Sequence, residues 1–286
     1  MNRKDAIAFI IVAYNEVFYE THTYKTLLQS IKFSFLENYH ILIYDNSDEI
    51  FWNVSFMDLS EKNHIVYFHD RKNSGLSTAY NFMAREAGSL NVKWIVLLDQ
   101  DTFVPENAVE GYLKSIKDDN DIFLKVPIVY FNKNNIMSPS KFIFGRAKML
   151  KEIIVGPQSI KEFLFINSGL MIYLPFFEEV GGYNEKIRVD FADHQFIEKV
   201  RKYVDKFEVL PLKFVQNFSH TEKNIDKAIT RFKIYLNDFR NFKFEKLSRR
   251  LLYSLSVFLH TLKLTKIFKS TQFLKLYFTA LTSKVK

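Results

Sequence analysis

Four apolar runs divide the first hundred positions: "AIAFIIVAY" (6–14), "HILIYD" (40–45), "HIVYFHD" (64–70) and "WIVLLDQD" (94–101). Their apolar residues are consecutive rather than alternate, the pattern of strands buried on both faces. The segments between them have helical spacing. In "YKTLLQSIKFSFL", Leu27, Leu28, Ile31 and Phe35 recur at that interval, and "GLSTAYNFMAREAG" closes on Gly88. Strand and helix alternate, which predicts an α/β class with a mostly parallel central sheet flanked by helices. In open sheets of this kind ligands bind beyond the carboxyl ends of the strands.

Those ends are polar throughout: Asn15-Glu16, Asp45-Asn46-Ser47, Asp70-Arg71-Lys72-Asn73 and Asp99-Gln100-Asp101. The second half is less regular. "KVPIVYF" (125–131) and "FINSGLMIYLP" (165–175) predict further strands, and "FEVLPLKFVQNFSH" (207–220) a last one. "GGYNEKIRVDFADHQFIEKVRKYV" (181–204) predicts a loop entering an amphipathic helix opened by Asp193, with Phe196, Ile197, Val200 and Val204 on its buried face.

At 286 residues and 48% hydrophobic composition, the chain can fill one large α/β core and carry an appendage. It has no cysteine, which excludes disulfides, thiolate metal sites and a cysteine nucleophile, and predicts a reducing, cytoplasmic setting. The apolar run near the N-terminus stops at Asn15-Glu16 and reads as a first strand rather than a signal peptide. Charge then splits the chain. Residues 221–286 hold 15 Lys/Arg against 4 Asp/Glu, a net of +11, and residues 1–220 are left at −3. This places a boundary near 220, between an α/β unit (1–220) and a basic helical C-terminal region (221–286).

Asp99 and Asp101, one residue apart where a buried strand ends, can meet a divalent cation through hard oxygen ligands, with substrate phosphates completing its shell. The alternative is that both are turn formers ahead of a helix near Pro105. Three other polar strand ends converge on the same edge, which favours a site.

Read in order, Ala13-Tyr14-Asn15, "YDNS" (44–47), "NSGLSTAYN" (73–81), "LLDQD" (97–101), "NSGLMIY" (167–173) and "VGGYNEKIRVDFAD" (180–193) resemble glycosyltransferase family 2, inverting enzymes with the GT-A nucleotide-sugar-binding fold. The "LLDQD" form and the spacing of Asp190 and Asp193 are similar to bacterial rhamnosyltransferases of surface polysaccharide synthesis. The resemblance covers residues 6–220, and Arg240-Asn241 resembles a pair that follows the catalytic domain in those relatives.

The resemblance implies that Ala13, Asn15 and Asp45 hold the nucleotide base, where a carboxylate suits an imide N–H. It assigns Asp99 and Gln100 to the donor, with Arg71 near the nucleotide or its phosphates, and Asp101 to Mg²⁺ or Mn²⁺. His220 is a further metal candidate or a structural histidine. Asp193 matches the general base. Ala192 before it and His194 after it depart from the family pattern, so Asp190 stays open as a substitute. Gly75, Asn73 and Asn81 hold a loop, and Ser168 and Gly169 resemble an acceptor-side loop.

The expected activity is transfer of a sugar, rhamnose from dTDP-rhamnose or a hexose from a UDP-sugar, to a glycan or lipid-linked acceptor. In the basic region the longest uncharged run, Leu251 to Leu262, has 12 residues, short of the ~20 that span a bilayer. Leu251, Leu255, Phe258 and Leu262 form a stripe flanked by Lys and Arg. That suits peripheral contact of residues 247–286 with an anionic surface at the inner face of the plasma membrane, or packing on the catalytic unit or a second subunit. A non-catalytic RNA-binding protein using the basic tail is the reading of a different class. It lacks a recognisable RNA-binding motif, so no nucleic acid partner is expected.

Overall fold

The computed structural model describes residues 6–50, 64–117, 121–131, 135–143, 146–216 and 224–282. The first strand, β1 (Ile7–Ala13), shows why its apolar residues are consecutive. Ile7, Phe9, Ile11 and Ala13 enter one core, with Tyr24, Leu27 and Ile31 of α1 (His22–Ser34). Ala8, Ile10 and Val12 enter another, with Ala79, Tyr80, Met83 and Ala87 of α2 (Leu76–Ser89). Alternate side chains leave opposite faces of a strand, so one sheet with a helix layer on each side needs every position apolar.

β2 (Tyr39–Asp45) and β4 (Trp94–Asp99) pair with β1 in parallel, and β3 (Ile65–His69) extends the sheet beyond β2. On the other side of β4 the order continues through β11 (Met171–Tyr173) to β6 (Leu124–Phe131) and β7 (Asn135–Ile143). This is a mixed α/β architecture, with a parallel core and helices on both faces. β11 runs antiparallel to both neighbours. The predicted strand over 165–175 is therefore only three residues long, and the loop before it turns through Gly169.

A short β5 (Thr102–Phe103) follows Asp101 and pairs with the end of β12 (Lys206–Gln216). β12 runs parallel to β6 and so reaches the same edge of the sheet. β8 (Arg146–Leu150), β9 (Gly156–Ser159) and β10 (Phe163–Leu164) widen the sheet at its far side. α3 (Ala108–Lys117) covers the α1 face, and α4 (Leu174–Val180) follows β11 directly.

α5 (Ala192–Val200) buries Phe196, Ile197 and Val200 as its spacing predicts, while Val204 lies beyond its end. Its N-cap is Phe191 in the left-handed region (φ 62°) rather than Asp193, which sits inside the first turn. The aromatic ring explains this placement: it is anchored among Tyr235, Phe239 and Phe242.

Three helices close the chain: α6 (Ile225–Asn241), α7 (Leu247–Phe268) and α8 (Gln272–Thr282). α7 runs 22 residues, well past the uncharged run read from the sequence, and by length and composition is apolar enough to cross a membrane. One of its faces is committed to protein, however. Tyr253 and Val257 are buried, whereas Leu247, Leu251, Leu255, Leu259 and Leu262 are exposed. Of the predicted stripe only Phe258 is covered, by Tyr277 of α8.

Gly75 precedes α2 with φ 95°, and a Cβ there would stand 2.5 Å from the carbonyl oxygen of Arg188. The Gly75→Ala protein is expected to lose about 1–3 kcal/mol of stability from the forbidden conformation and the clash. Urea unfolding reads this as a lower midpoint at unchanged slope.

Candidate active site

Beyond the carboxyl end of β4 the chain turns back on itself, and side chains from four elements hold the turn. Thr23 of α1 donates its hydroxyl to the main-chain oxygen of Asp99 at 2.6 Å and accepts from the Thr102 N–H at 2.9 Å. The Asp99 carboxylate accepts from the Tyr80 hydroxyl (3.0 Å), the Ser168 hydroxyl (2.6 Å) and the Gln216 amide (3.2 Å). The same Gln216 nitrogen donates to Asp101 at 3.1 Å, so one amide bridges both carboxylates. Burial, then the Asp99 charge, pushes the Asp101 carboxyl above its ordinary value.

The Gln216 amide oxygen is buried without a hydrogen-bond partner among the described residues. Two carboxylates one residue apart are the hard oxygens that Mg²⁺ or Mn²⁺ takes, and the Gln216 N–H group now stands between them. No group of three or more His, Asp or Glu side chains placed to hold a metal ion occurs among the described residues. His220 lies outside them.

Gln100 turns away from this set. Its amide accepts from the Tyr14 N–H at 2.6 Å and donates to the Tyr14 carbonyl at 3.2 Å, latching the end of β1 to the turn. Next to that latch the Asn46 N–H donates to the Ala13 carbonyl (2.8 Å) and the Asn15 N–H to the Ser47 hydroxyl (2.7 Å). Asp45 is buried, accepting from Tyr67 (2.7 Å) and the Ser47 N–H (2.9 Å). Ala13, Asn15 and Asp45 thus lie together at the ends of β1 and β2. Arg71 lies in the exposed turn after β3, on the same edge of the sheet.

Asp193 stands near enough to the turn after β4 to feel the Asp99 charge. Burial raises its carboxyl above the ordinary value, the neighbouring His194 opposes this, and the Asp99 and Asp190 charges add to it. Among the described residues it accepts only the His194 N–H, at 2.8 Å. The folded state therefore holds this proton more tightly than the unfolded chain does. Its stabilising contribution is present at low pH and is lost as pH climbs from the ordinary carboxylate value through the raised one.

Asp190 is differently placed: both its oxygens are gripped by Arg231 of α6. The loop that carries both acids is fixed by a residue the sequence did not single out. Asp238 of α6 is fully buried and accepts the N–H groups of Arg188, Val189 and Asp190, each at 2.9 Å. Arg188 in turn donates to the Asn73 carbonyl, and Asn81 bonds Tyr183 in both directions (3.0 and 2.8 Å), so the "NSGLSTAYN" and 181–190 segments form one unit. Tyr253 of α7, also missed from sequence, shares a 2.9 Å hydrogen bond with His194 Nδ1. Arg231 and Asp238 share one face of α6 at a seven-residue interval, which was the available signal. Gln216, Tyr80 and Tyr253 carried none.

A cleft of about 750 Å³ lies to the side, lined by Arg85, Tyr183, Lys199 and Lys243. None of the strand-end carboxylates lines it.

A mixed sheet flanked by helices, with its polar strand ends and the paired-carboxylate turn at one edge, is the fold of GT-A glycosyltransferases. The chain belongs to glycosyl transferase family 2, whose model matches residues 8–181, more than half its length. No curated protein matches it in sequence.

Among solved structures it is similar to Staphylococcus aureus TarS 1–349, at 11% identity and a TM-score of 0.53 over 98% of this chain and 75% of that one. The complex of TarS 1–349 with UDP-GlcNAc gives 11% and 0.56 over 96% and 79%. Against the longer TarS chain the values are 10% and 0.50 over 87% of this chain and 42% of that one. At these identities the likeness is one of fold. Family membership makes the protein an enzyme and sets aside the non-catalytic RNA-binding reading.

Replacing Asp238 with Ala leaves three buried N–H groups without their acceptor. A loss of about 3 kcal/mol or more is expected in urea unfolding. Asp238→Asn, which keeps one accepting oxygen, should lose less.

Proposed function

We propose that the protein transfers a sugar, with inversion, from a nucleoside diphosphate donor to a hydroxyl of a glycan or lipid-linked acceptor in cell-surface polysaccharide synthesis. Rhamnose from dTDP-rhamnose is the candidate donor, and a UDP-hexose the alternative. TarS, which shares the fold, has been crystallised with UDP-GlcNAc, and this supports a nucleotide-sugar donor.

One contrast carries the assignment of roles. Asp99 and Asp101 are tied to each other through Gln216, Asp190 is neutralised by Arg231, and Asp193 is left with a raised pKa and a single main-chain donor. A carboxylate whose basicity is raised by burial suits proton removal from an alcohol. Asp193 takes the proton of the acceptor hydroxyl as that oxygen attacks the anomeric carbon, and the bond from that carbon to the donor phosphate breaks on the opposite face. The electron pair of that bond leaves with the nucleoside diphosphate.

Mg²⁺ or Mn²⁺ held by Asp101 would offset the charge of the departing diphosphate. Asp45 and the ends of β1 receive the base. Gln100 acts on the donor indirectly, by fixing the wall that Tyr14 forms. Residues 221–286 then serve two purposes: Asp238 and Tyr253 complete the catalytic unit, and the exposed leucines of α7 lie on an anionic membrane surface at the cytoplasmic side.

A panel of UDP-, dTDP- and GDP-sugars, scored by thermal stabilisation with and without divalent metal, tests the donor class. One donor should stabilise the protein in a metal-dependent manner, and Asp101→Asn should weaken its binding at least tenfold. Equal affinity in the two proteins would remove Asp101 from the metal site.

For Asp193→Asn, donor binding should persist while kcat falls by about 10²–10⁴-fold. Because Asp193 acts only when ionised and its pKa is raised, the wild-type rate should rise with pH through a limb above ~3.9, the ordinary aspartate value. If Asp190→Asn removes that limb and Asp193→Asn does not, the base is Asp190.

A further inference from the structure

Between α6, α7 and α8 lies a second cavity, of about 470 Å³. Leu236, Phe239, Phe242 and Tyr277 give it an apolar wall, and Ala280 of α8 faces them. Its lining carries three cations, Arg240, Lys246 and Arg250, and no carboxylate among the described residues. Leu247 and Leu281, also part of the lining, are largely exposed, which makes the cavity continuous with the leucine stripe on α7.

We infer that this cavity binds an anionic membrane lipid, one acyl chain against the aromatic wall and the phosphodiester between Lys246 and Arg250. Apolar depth with cations at the rim matches an amphiphile with an anionic head, since each group then meets its complement as water is excluded. A second copy of the chain is a poor occupant. It would bring the same basic helices, from a region of net charge +11, against cations of like sign. A nucleic acid has the charge but no apolar chain for the wall.

The inference rests on the peripheral-membrane reading of the same helices, yet it is a separate claim: a built pocket for one lipid molecule rather than adsorption of a surface. The wall also approaches the catalytic side. Phe239 and Phe242 contact Phe191, the N-cap of α5, with ring centroids 5.9 and 6.2 Å apart. A chain seated there packs one layer behind the helix that carries Asp193.

The test uses the whole protein with monomeric dioctanoyl phosphatidylglycerol below its micelle concentration. A saturable rise in Tm is expected. Dioctanoyl phosphatidylcholine and inorganic phosphate at equal concentration should give none. Ala280→Trp, which fills the cavity, and Arg250→Glu, which reverses a rim charge, should each weaken the effect at least tenfold while leaving nucleotide-sugar stabilisation intact. The Leu251→Asp/Leu255→Asp protein, altered outside the cavity, should keep it but no longer sediment with anionic vesicles.

The pocket is disproved if phosphatidylglycerol gives no saturable shift, if either control ligand matches it, or if Ala280→Trp responds as the wild type does. Failure of the wild type to sediment with vesicles, with the short-chain lipid still bound, would overturn the membrane-surface reading and leave the pocket standing.

Discussion

Like charges crowded into low dielectric set the terms for this site. Asp99 and Asp101 stand one residue apart, the charges of Asp99 and Asp190 both act on Asp193, and that of Asp190 acts on Asp238. At short range and reduced dielectric such repulsion is worth several kcal/mol, so each carboxylate needs its own compensation. The compensations differ: hydroxyls and an amide for Asp99, a guanidinium for Asp190, three main-chain N–H groups for Asp238. The roles proposed for the acids follow from how completely each is satisfied. Distance along the chain would not separate Asp190 from Asp193, but their partners do.

The core of the fold was legible because burial on both faces leaves a mark that needs no tertiary knowledge. β1, β2 and β4 are apolar at nearly every position, and the helices between them require parallel pairing. β11 was legible only as an apolar run. Its three residues contain nothing that states a direction, and it pairs antiparallel because α4 begins at once and the Gly169 loop reverses the chain before it. The strand-end acids were visible because charge rarely follows so long an apolar run. Gln216 was not, since an amide at the end of a strand reads as ordinary solvation. Asp238 was hidden by its surroundings, one of four acids in a strongly basic segment, where the default expectation is a screened surface charge. The helix-opening role given to Asp193 failed for a tertiary reason: the Phe191 ring, packed among aromatics of α6 and the segment after it, fixes the backbone turn that a side-chain cap would otherwise set.

The two parts of the chain on either side of the charge split near residue 220 are in close contact. α6 meets the loop before α5 through Asp238 and Arg231, and α7 reaches His194 through Tyr253, while the opposite side of α7 keeps its leucines in solvent. A helix with one face in a core and the other apolar and exposed is held in place by the first and left available by the second.

Tyr253 and Asp238 also fix an order of events during synthesis. A chain emerging N-terminus first can pair its strands as soon as β12 has left the ribosome, since each sheet partner up to Gln216 is then in hand. The loop bearing Asp193 still lacks the acceptor for its main-chain N–H groups at that moment, and His194 lacks its phenol. On the proposed assignment of roles, the donor side can form first, and the loop of the acceptor side waits for the basic helices to anchor it.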